Sequence, residues 1–303
     1  MVTPSFSRDF TLCTELNASV LAYFPPTTKH YVVVDRKDFE MFRGLAGPRT
    51  VVAAVEDVIP KGYFKLPFVK RWWASTRALV PVRGWVIQQL VKLAMAETLN
   101  VDVVVNVDSD VLFIRPVEAK LFSQDGRTRL YRLPGGIVEG MGHIKWHHAI
   151  CRLLGVAPDS APMDDYVGNM ISWSPHNVAA LKKRIESVTK LPWHVAFSRA
   201  RTVSEYLAYG LNVDKVAGPE AAGVWLDARS WCHTYWGPTP MLAADIGTFV
   251  DALPEDDVAF SIAGYTQTDR SVVVDATERV IERANRRGSG AERNPSLGEQ
   301  ALE

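Results

Sequence analysis

The sequence predicts an α/β fold: a mostly parallel sheet flanked by helices, in a single large domain. Three observations predict it. β-Branched runs at His30–Val34, Thr50–Val55 and Val103–Val107 alternate with stretches of helical periodicity. The runs are almost continuously apolar, as in strands buried on both faces, and do not alternate as half-exposed strands do. A chain of 303 residues is also long enough to bury a large core.

Each element has its own signal. Val2–Ser5 is a short first strand. Phe10, Cys13, Leu16, Val20 and Phe24 recur at helical spacing, with Ser7 as N-cap and Pro25-Pro26 as the stop. His30–Val34 ends at Asp35, a short helix covers Phe39–Leu45, and Thr50–Val55 is a third long strand. Pro60–Pro81 is aromatic and basic and is read as a loop covering a site. Arg83–Leu99 is a helix with Trp85, Gln88, Gln89 and Lys92 on one face and Val86, Leu90, Leu93 and Ala94 on another, so the first face is expected to turn towards a polar ligand. Beyond residue 117 the predicted elements are a strand at Leu130–Leu133, a Gly-rich stretch Pro134–Gly142 and a helix His143–Leu154. A strand Met170–Trp173 and helices Asn177–Val188, Val203–Tyr209 (stopped by Gly210) and Val272–Asn285 follow. The domain is expected over 1–285, with 1–117 as the nucleotide-binding half and 118–285 as the acceptor-side half. Residues 286–303, rich in Gly, Ser, Asn, Pro and charge, are expected to be a disordered tail.

The most informative segment is Val107-Asp-Ser-Asp-Val111. If the strand runs through it, the carboxylates of Asp108 and Asp110 point the same way, because side chains alternate along a strand. Two hard oxygen donors together suit Mg²⁺ or Mn²⁺ with positions left for phosphate and water. A turn at Asp-Ser-Asp is the alternative. His143 and His147 are one helical turn apart, but no carboxylate in the local sequence accompanies them, and a metal reading is not adopted.

The totals exclude several classes. Lys plus Arg equals Asp plus Glu at 34 each, which gives no electrostatic case for nucleic acid as the main partner. No apolar run is long enough to span a bilayer, the N-terminus has no signal-peptide core, and Cys13, Cys151 and Cys232 are scattered. A cytoplasmic protein with reduced thiols is expected.

With these residues in view, the chain resembles metal-dependent nucleotide-sugar glycosyltransferases of the GT-A (Rossmann-like) type, and more closely a bacterial and phage family of that fold carrying the Asp-x-Asp motif. The resemblance rests on Ser5–Cys13, Val33–Asp38, Arg83–Lys92, Val107–Val111, Asp165–Asn169 and Ser204–Tyr206. It implies a Mn²⁺ (or Mg²⁺) ion on Asp108, Asp110 and His233, and a donor, UDP-sugar by analogy, beside Thr3, Pro4, Ser5, Asp35, Arg83, Gln89, Lys92, Ser109 and Asn169. It also implies Glu205 and Asp165 beside the reacting sugar, Trp173 or Trp236 as a stacking surface, and a glycan, protein or lipid-linked acceptor. Thr202-Val-Ser-Glu205 can also be read as a capping box with Glu205 bonding back to the N-cap. Two other classes compete: a haloacid-dehalogenase-like phosphatase with Asp108 as nucleophile, and a non-catalytic nucleotide-sugar or glycan-binding module.

Overall fold

The computed structural model describes residues 1–65, 72–76 and 81–288. The chain forms two compact units, the first from Met1–Ser109 and Val117–Ser230, the second from Asp110–Pro116 and the chain from Trp231 onward. The expected boundary near residue 117 thus marks where the chain re-enters the first unit.

In the first unit β1 (Val2–Ser5) leads through a 3-10 turn into α1 (Phe10–Tyr23), then β2 (His30–Val34), α2 (Phe39–Phe42), β3 (Thr50–Ala54) and α3 (Val55–Val58). Strands β4 (Tyr63–Lys65), β5 (Trp72–Ser75) and β6 (Val82–Arg83) form a small antiparallel sheet. The stretch read as a loop is therefore partly strand, and its residues 66–71 and 77–80 lie outside the described residues. Helix α4 (Gly84–Thr98) and β7 (Val104–Asn106) follow, and β8 (Val111–Phe113) belongs to the second unit. Back in the first unit come β9 (Ser123–Gln124), β10 (Arg127–Tyr131), β11 (Leu133–Ile137), α5 (His143–Leu154), β12 (Met163–Asp165) and β13 (Ile171–Trp173). Helices α6 (Pro175–Thr189), α7 (Trp193–Arg199) and α8 (Glu205–Leu211) and strand β14 (Val224–Asp227) complete it.

The main sheet has the order β13-β7-β1-β2-β3, with β7, β1, β2 and β3 parallel and β13 antiparallel at one edge. From β1 the chain builds outward to β2 and β3, then crosses to the other side of β1 for β7. That reversal makes the carboxyl ends of β1 and β7 a topological switch point, where open α/β sheets leave a crevice for ligands. Val2, Val32, Val33 and Val34 are fully buried, as apolar strands predict. A polar strip runs beneath them: His30 lies between Thr3 Oγ1 and Asn17 Oδ1 at 2.9 Å each, and Thr50 Oγ1 donates to Asn17 at 2.8 Å. Burial lowers the His30 pKa to about 3, so the ring is neutral and serves to join α1 to β1, β2 and β3.

Several expected boundaries move for physical reasons. Ser7 does not cap α1: it opens the 3-10 turn, and its backbone N–H donates to Asp38 Oδ2 at 3.1 Å. Helix α8 starts at Glu205 and not at Val203, with Ser204 as N-cap accepting from Leu207 N at 3.3 Å. Gly210 does not stop α8, which runs on into a π-helical turn, Asn212–Ala217. Gly210 is there because a Cβ would lie 2.2 Å from the Tyr166 ring.

The second unit is a three-stranded sheet ordered β15 (Cys232–Tyr235), β16 (Ala259–Ile262), β8, with α9 (Ile246–Asp251) and α10 (Arg270–Gly288). Its core gathers Ile114, Ile246, Leu253, Ile262, Ala276 and Val280. Helix α10 extends past the expected boundary at 285, and residues 289–303 of the expected tail lie outside the described residues. Among the described residues no helix is long and apolar enough to cross a membrane.

Candidate active site

At the switch point, Ser5 ends β1 and Ser109 follows β7, and Ser109 Oγ donates to Ser5 Oγ at 2.9 Å. Beside them stands Lys92, carried in by the buried interior of α4. Its Nζ lies 2.8 Å from Tyr206 Oη, 3.0 Å from Glu205 Oε1 and 3.0 Å from Asp108 Oδ1. The ammonium donates a hydrogen bond to Tyr206 and is ion-paired with both carboxylates. The side chains of Lys92 and Glu205 are 6% and 5% exposed, whereas Asp108 is 51% exposed and carries the cluster to solvent. Burial alone would lower the Lys92 pKa. The negative charges around it, Asp108 first, outweigh that and hold it well above the usual lysine value. Burial raises the Tyr206 pKa far enough to keep the phenol neutral.

Asp9, in the turn after β1, is a member of this crevice that the sequence did not single out. Its pKa is raised to about 6, by burial first and then by the charge of Asp108, against a smaller pull from Arg8. Cys13 is buried nearby, its thiol pushed up to about 11 by burial.

The expected site residues divide accordingly. Lys92, Glu205, Asp108, Ser5 and Ser109 come together. Lys92 does not face open space for phosphate, because its ammonium is buried against Tyr206, Glu205 and Asp108. Glu205 is the first residue of α8 and not its third, so the capping-box reading fails and its carboxylate is the partner of Lys92. Gln89 is buried and donates to the Val203 carbonyl at 3.1 Å, which fastens α4 to the approach of α8. On this face of α4, Gln89 and Lys92 are thus turned inward while Trp85 stays exposed. Thr3 is used by His30 and Pro4 is buried in β1, so neither side chain lines an open pocket. Asp35 pairs with Lys65, whose ammonium also lies over the Trp73 ring. Arg83 lines a different cavity of about 350 Å³ with Val86, Ser198, Arg201 and Thr202. Asp165 accepts from Val167 N at 3.0 Å and pairs with His143 at 2.8 Å, and Asn169 lies four residues further on. Trp173 is fully buried, stacked on Tyr209 with centroids 5.3 Å apart, and cannot offer a sugar-stacking surface. Trp236, in the second unit, is 52% exposed and stacks on Tyr265.

The expected metal ligands each have partners of their own. The strand ends at Asn106 and residues 109 and 110 form a turn, so the same-face geometry expected of a strand does not hold. Asp110, in the second unit, accepts from Gly264 N at 2.7 Å. His233 gives its Nε2 to the Phe249 carbonyl at 2.8 Å and stacks on the Phe249 ring at 4.4 Å. Among the described residues no three His, Cys, Asp or Glu side chains gather where they could hold a metal ion. Asp110 and His233 are thus each engaged within the second unit. Asp108 alone is suited: Oδ1 is on Lys92, and its other oxygen has no partner among the described residues.

Among solved structures, the chain is similar to a galactosyltransferase, LgtC, in complex with donor and acceptor sugar analogs. That likeness has 14% identity and a TM-score of 0.42, covering 94% of this chain and 95% of that one. It is also similar to the WbbM bifunctional glycosyltransferase in its apo form, at 12% identity and a TM-score of 0.49, covering 94% of this chain and about half, 51%, of that one. Likenesses at this level leave activity to the chain's own residues. No curated protein sequence matches the chain. Residues 4–221, most of its length, match the model of a family of unknown function, DUF6492, and the chain belongs to that family.

Proposed function

We propose that the chain is a glycosyltransferase of the GT-A type, moving a hexose from a nucleoside-diphosphate donor, with UDP as the nucleotide, to a hydroxyl of a glycan, protein or lipid-linked acceptor. One observation carries the reading: Asp108 stands exposed at the β1/β7 switch point, on a buried Lys92–Glu205 pair that fixes its position. The family motifs around Asp108, Lys92 and Glu205, far apart in sequence, support the same reading because they meet there.

The charge of the crevice bears on the cofactor. Lys92 is one cation in contact with two carboxylates, and Asp9 adds a third acid whose pKa Asp108 helps to raise. A diphosphate meets net negative charge there unless a counter-charge accompanies it. Mn²⁺ or Mg²⁺, the cofactor we propose, suits this need through Asp108, since such ions bind by one or two carboxylates plus substrate phosphates. Bound there, the ion would neutralise charge developing on the leaving diphosphate. The chain's own part is to hold Asp108: Lys92 pairs with Oδ1, Glu205 pairs with Lys92 from the other side, and Tyr206 Oη accepts the hydrogen bond that Lys92 donates.

Calorimetric titration of UDP tests the reading. Wild-type protein should bind UDP with Mn²⁺ and much more weakly with chelator, and Asp108→Ala should bind weakly in both. Equal binding by Asp108→Ala and wild type would remove Asp108 from the donor site.

A further inference from the structure

His143 opens α5, and its Nδ1 lies 2.8 Å from Asp165 Oδ2 at the end of β12. The other carboxylate oxygen is held by Val167 N at 3.0 Å, so Asp165 cannot swing away from the ring. With Nδ1 engaged by a carboxylate, the neutral ring carries its proton there and presents Nε2 as a base. Nε2 has no partner among the described residues, and the side chain is 23% exposed while Asp165 is 9% exposed. The imidazole is clamped on its face as well: Trp146, one turn along α5, stacks on it with centroids 4.4 Å apart and planes 23° off parallel. Trp85 of α4 lies against Trp146, centroids 5.2 Å apart and planes tilted by 37°, and is itself 40% exposed.

A histidine fixed by a buried carboxylate and an aromatic face, with its second nitrogen uncommitted, has the form of a general base and its orienting group. Partly exposed aromatic rings beside it suit the apolar face of a sugar ring, leaving the sugar's hydroxyls to polar neighbours. The surroundings tie this group to the donor site. Trp85 and Lys92 are seven residues apart on one face of α4, about 10 Å along its axis. Helix α5 packs against α8, the helix that brings Glu205 to Lys92.

We propose that His143 is the general base of the transfer, Asp165 its positioning residue, and Trp146 with Trp85 the wall of the acceptor-sugar subsite; this rests on the glycosyltransferase reading above. In the step, the acceptor oxygen forms a bond to the anomeric carbon and its proton passes to His143 Nε2. The bond from that carbon to the diphosphate oxygen breaks, and its electron pair leaves with the nucleoside diphosphate. The imidazolium is stabilised by Asp165 and returns its proton to solvent.

The experiment compares wild type, His143→Ala and Asp165→Asn, with the nucleotide sugar that wild type consumes and a panel of methyl glycosides and disaccharides as acceptors. The expected result is UDP binding and melting close to wild type, with transfer slower by roughly 10²–10⁴ in both variants. Added imidazole should restore part of the rate to His143→Ala and none to Asp165→Asn. Wild-type transfer rates in His143→Ala, or a loss that imidazole does not touch, would overturn the inference while leaving the transferase reading in place. A wild-type protein that releases no nucleoside diphosphate from any donor would overturn the reading, and this inference with it.

Discussion

Removing the ammonium at the centre of the cluster, Lys92→Met, should cost more stability than an ordinary substitution. Methionine fills most of the stem's volume, so the loss is electrostatic. Glu205, 5% exposed, keeps its negative charge but loses its cation, and Tyr206 Oη loses its donor. Breaking a buried pair by deleting one partner costs roughly 3–5 kcal/mol. At about 2–4 °C per kcal/mol for a unit of this size, that corresponds to a melting temperature lower by roughly 6–20 °C. The double variant Lys92→Met/Glu205→Leu removes both charges and should recover much of the loss, because a buried pair replaced by apolar groups is often neutral. The pH dependence follows from the raised pKa. For a cationic group with a folded pKa above its unfolded one, the stabilisation is complete below about 10.5, the usual lysine value, and is lost as pH climbs through the folded pKa. Wild type should therefore hold this contribution throughout the neutral range. Thermal melts and urea titrations at pH 7.5 measure the difference. A Lys92→Met variant that melts like wild type, or a double variant worse than the single, would refute the buried-pair account.

Two further predictions concern the same crevice. Glu205→Gln should lower stability by about 1.5–3 kcal/mol, the scale of one charged contact, because its ion pair with Lys92 is lost; a silent variant in urea titration would show that the pair contributes nothing to the fold. Asp9 is an acid whose folded pKa, about 6, lies above its usual 3.8, so the folded state holds its proton longer and the contribution of Asp9 to stability falls as pH rises from about 4 to 6. Asp9→Asn should lack this fall and be the more stable protein at pH 7.5 by differential scanning calorimetry, with the gap closing towards pH 4; a gap that does not change with pH would contradict it.

How far the sequence could be read depended on whether a signal was local. Strand His30–Val34 and helix His143–Leu154 appear with the expected limits, because β-branched runs and amphipathic spacing are properties of consecutive residues. Lys92, Asp108 and Glu205 were each candidates, but their meeting depends on α4, β7 and α8 packing together, and no window of sequence holds that. The polar face of α4 pointed to a ligand, but its Gln89 and Lys92 meet Val203 and Glu205 while Trp85 stays exposed, since a side chain's partner is set by tertiary packing. Asp165 as the partner of His143 stayed hidden for the same reason: the two are 22 residues apart. Asp9 lies inside the Ser5–Cys13 segment, but no spacing there separates it from its neighbours, and only its raised pKa beside Asp108 marks it. Trp173, a candidate for sugar stacking, is core, and hydrophobic pattern alone does not separate the two roles. Strand β11, within a Gly-rich stretch, was missed because Pro134, Gly135 and Gly136 weaken every local strand signal.

The central claim is that the crevice at the carboxyl ends of β1 and β7 transfers a sugar from a nucleoside diphosphate. Release of free nucleoside diphosphate from a panel of nucleotide sugars, followed by mass spectrometry with Mn²⁺ present, tests it most directly. The prediction is release from at least one UDP-sugar, with Asp108→Asn slower by roughly a hundredfold or more, the scale of removing a group that stabilises the transition state. Release from no donor, or phosphate liberated from simple phosphomonoesters in its place, would contradict it.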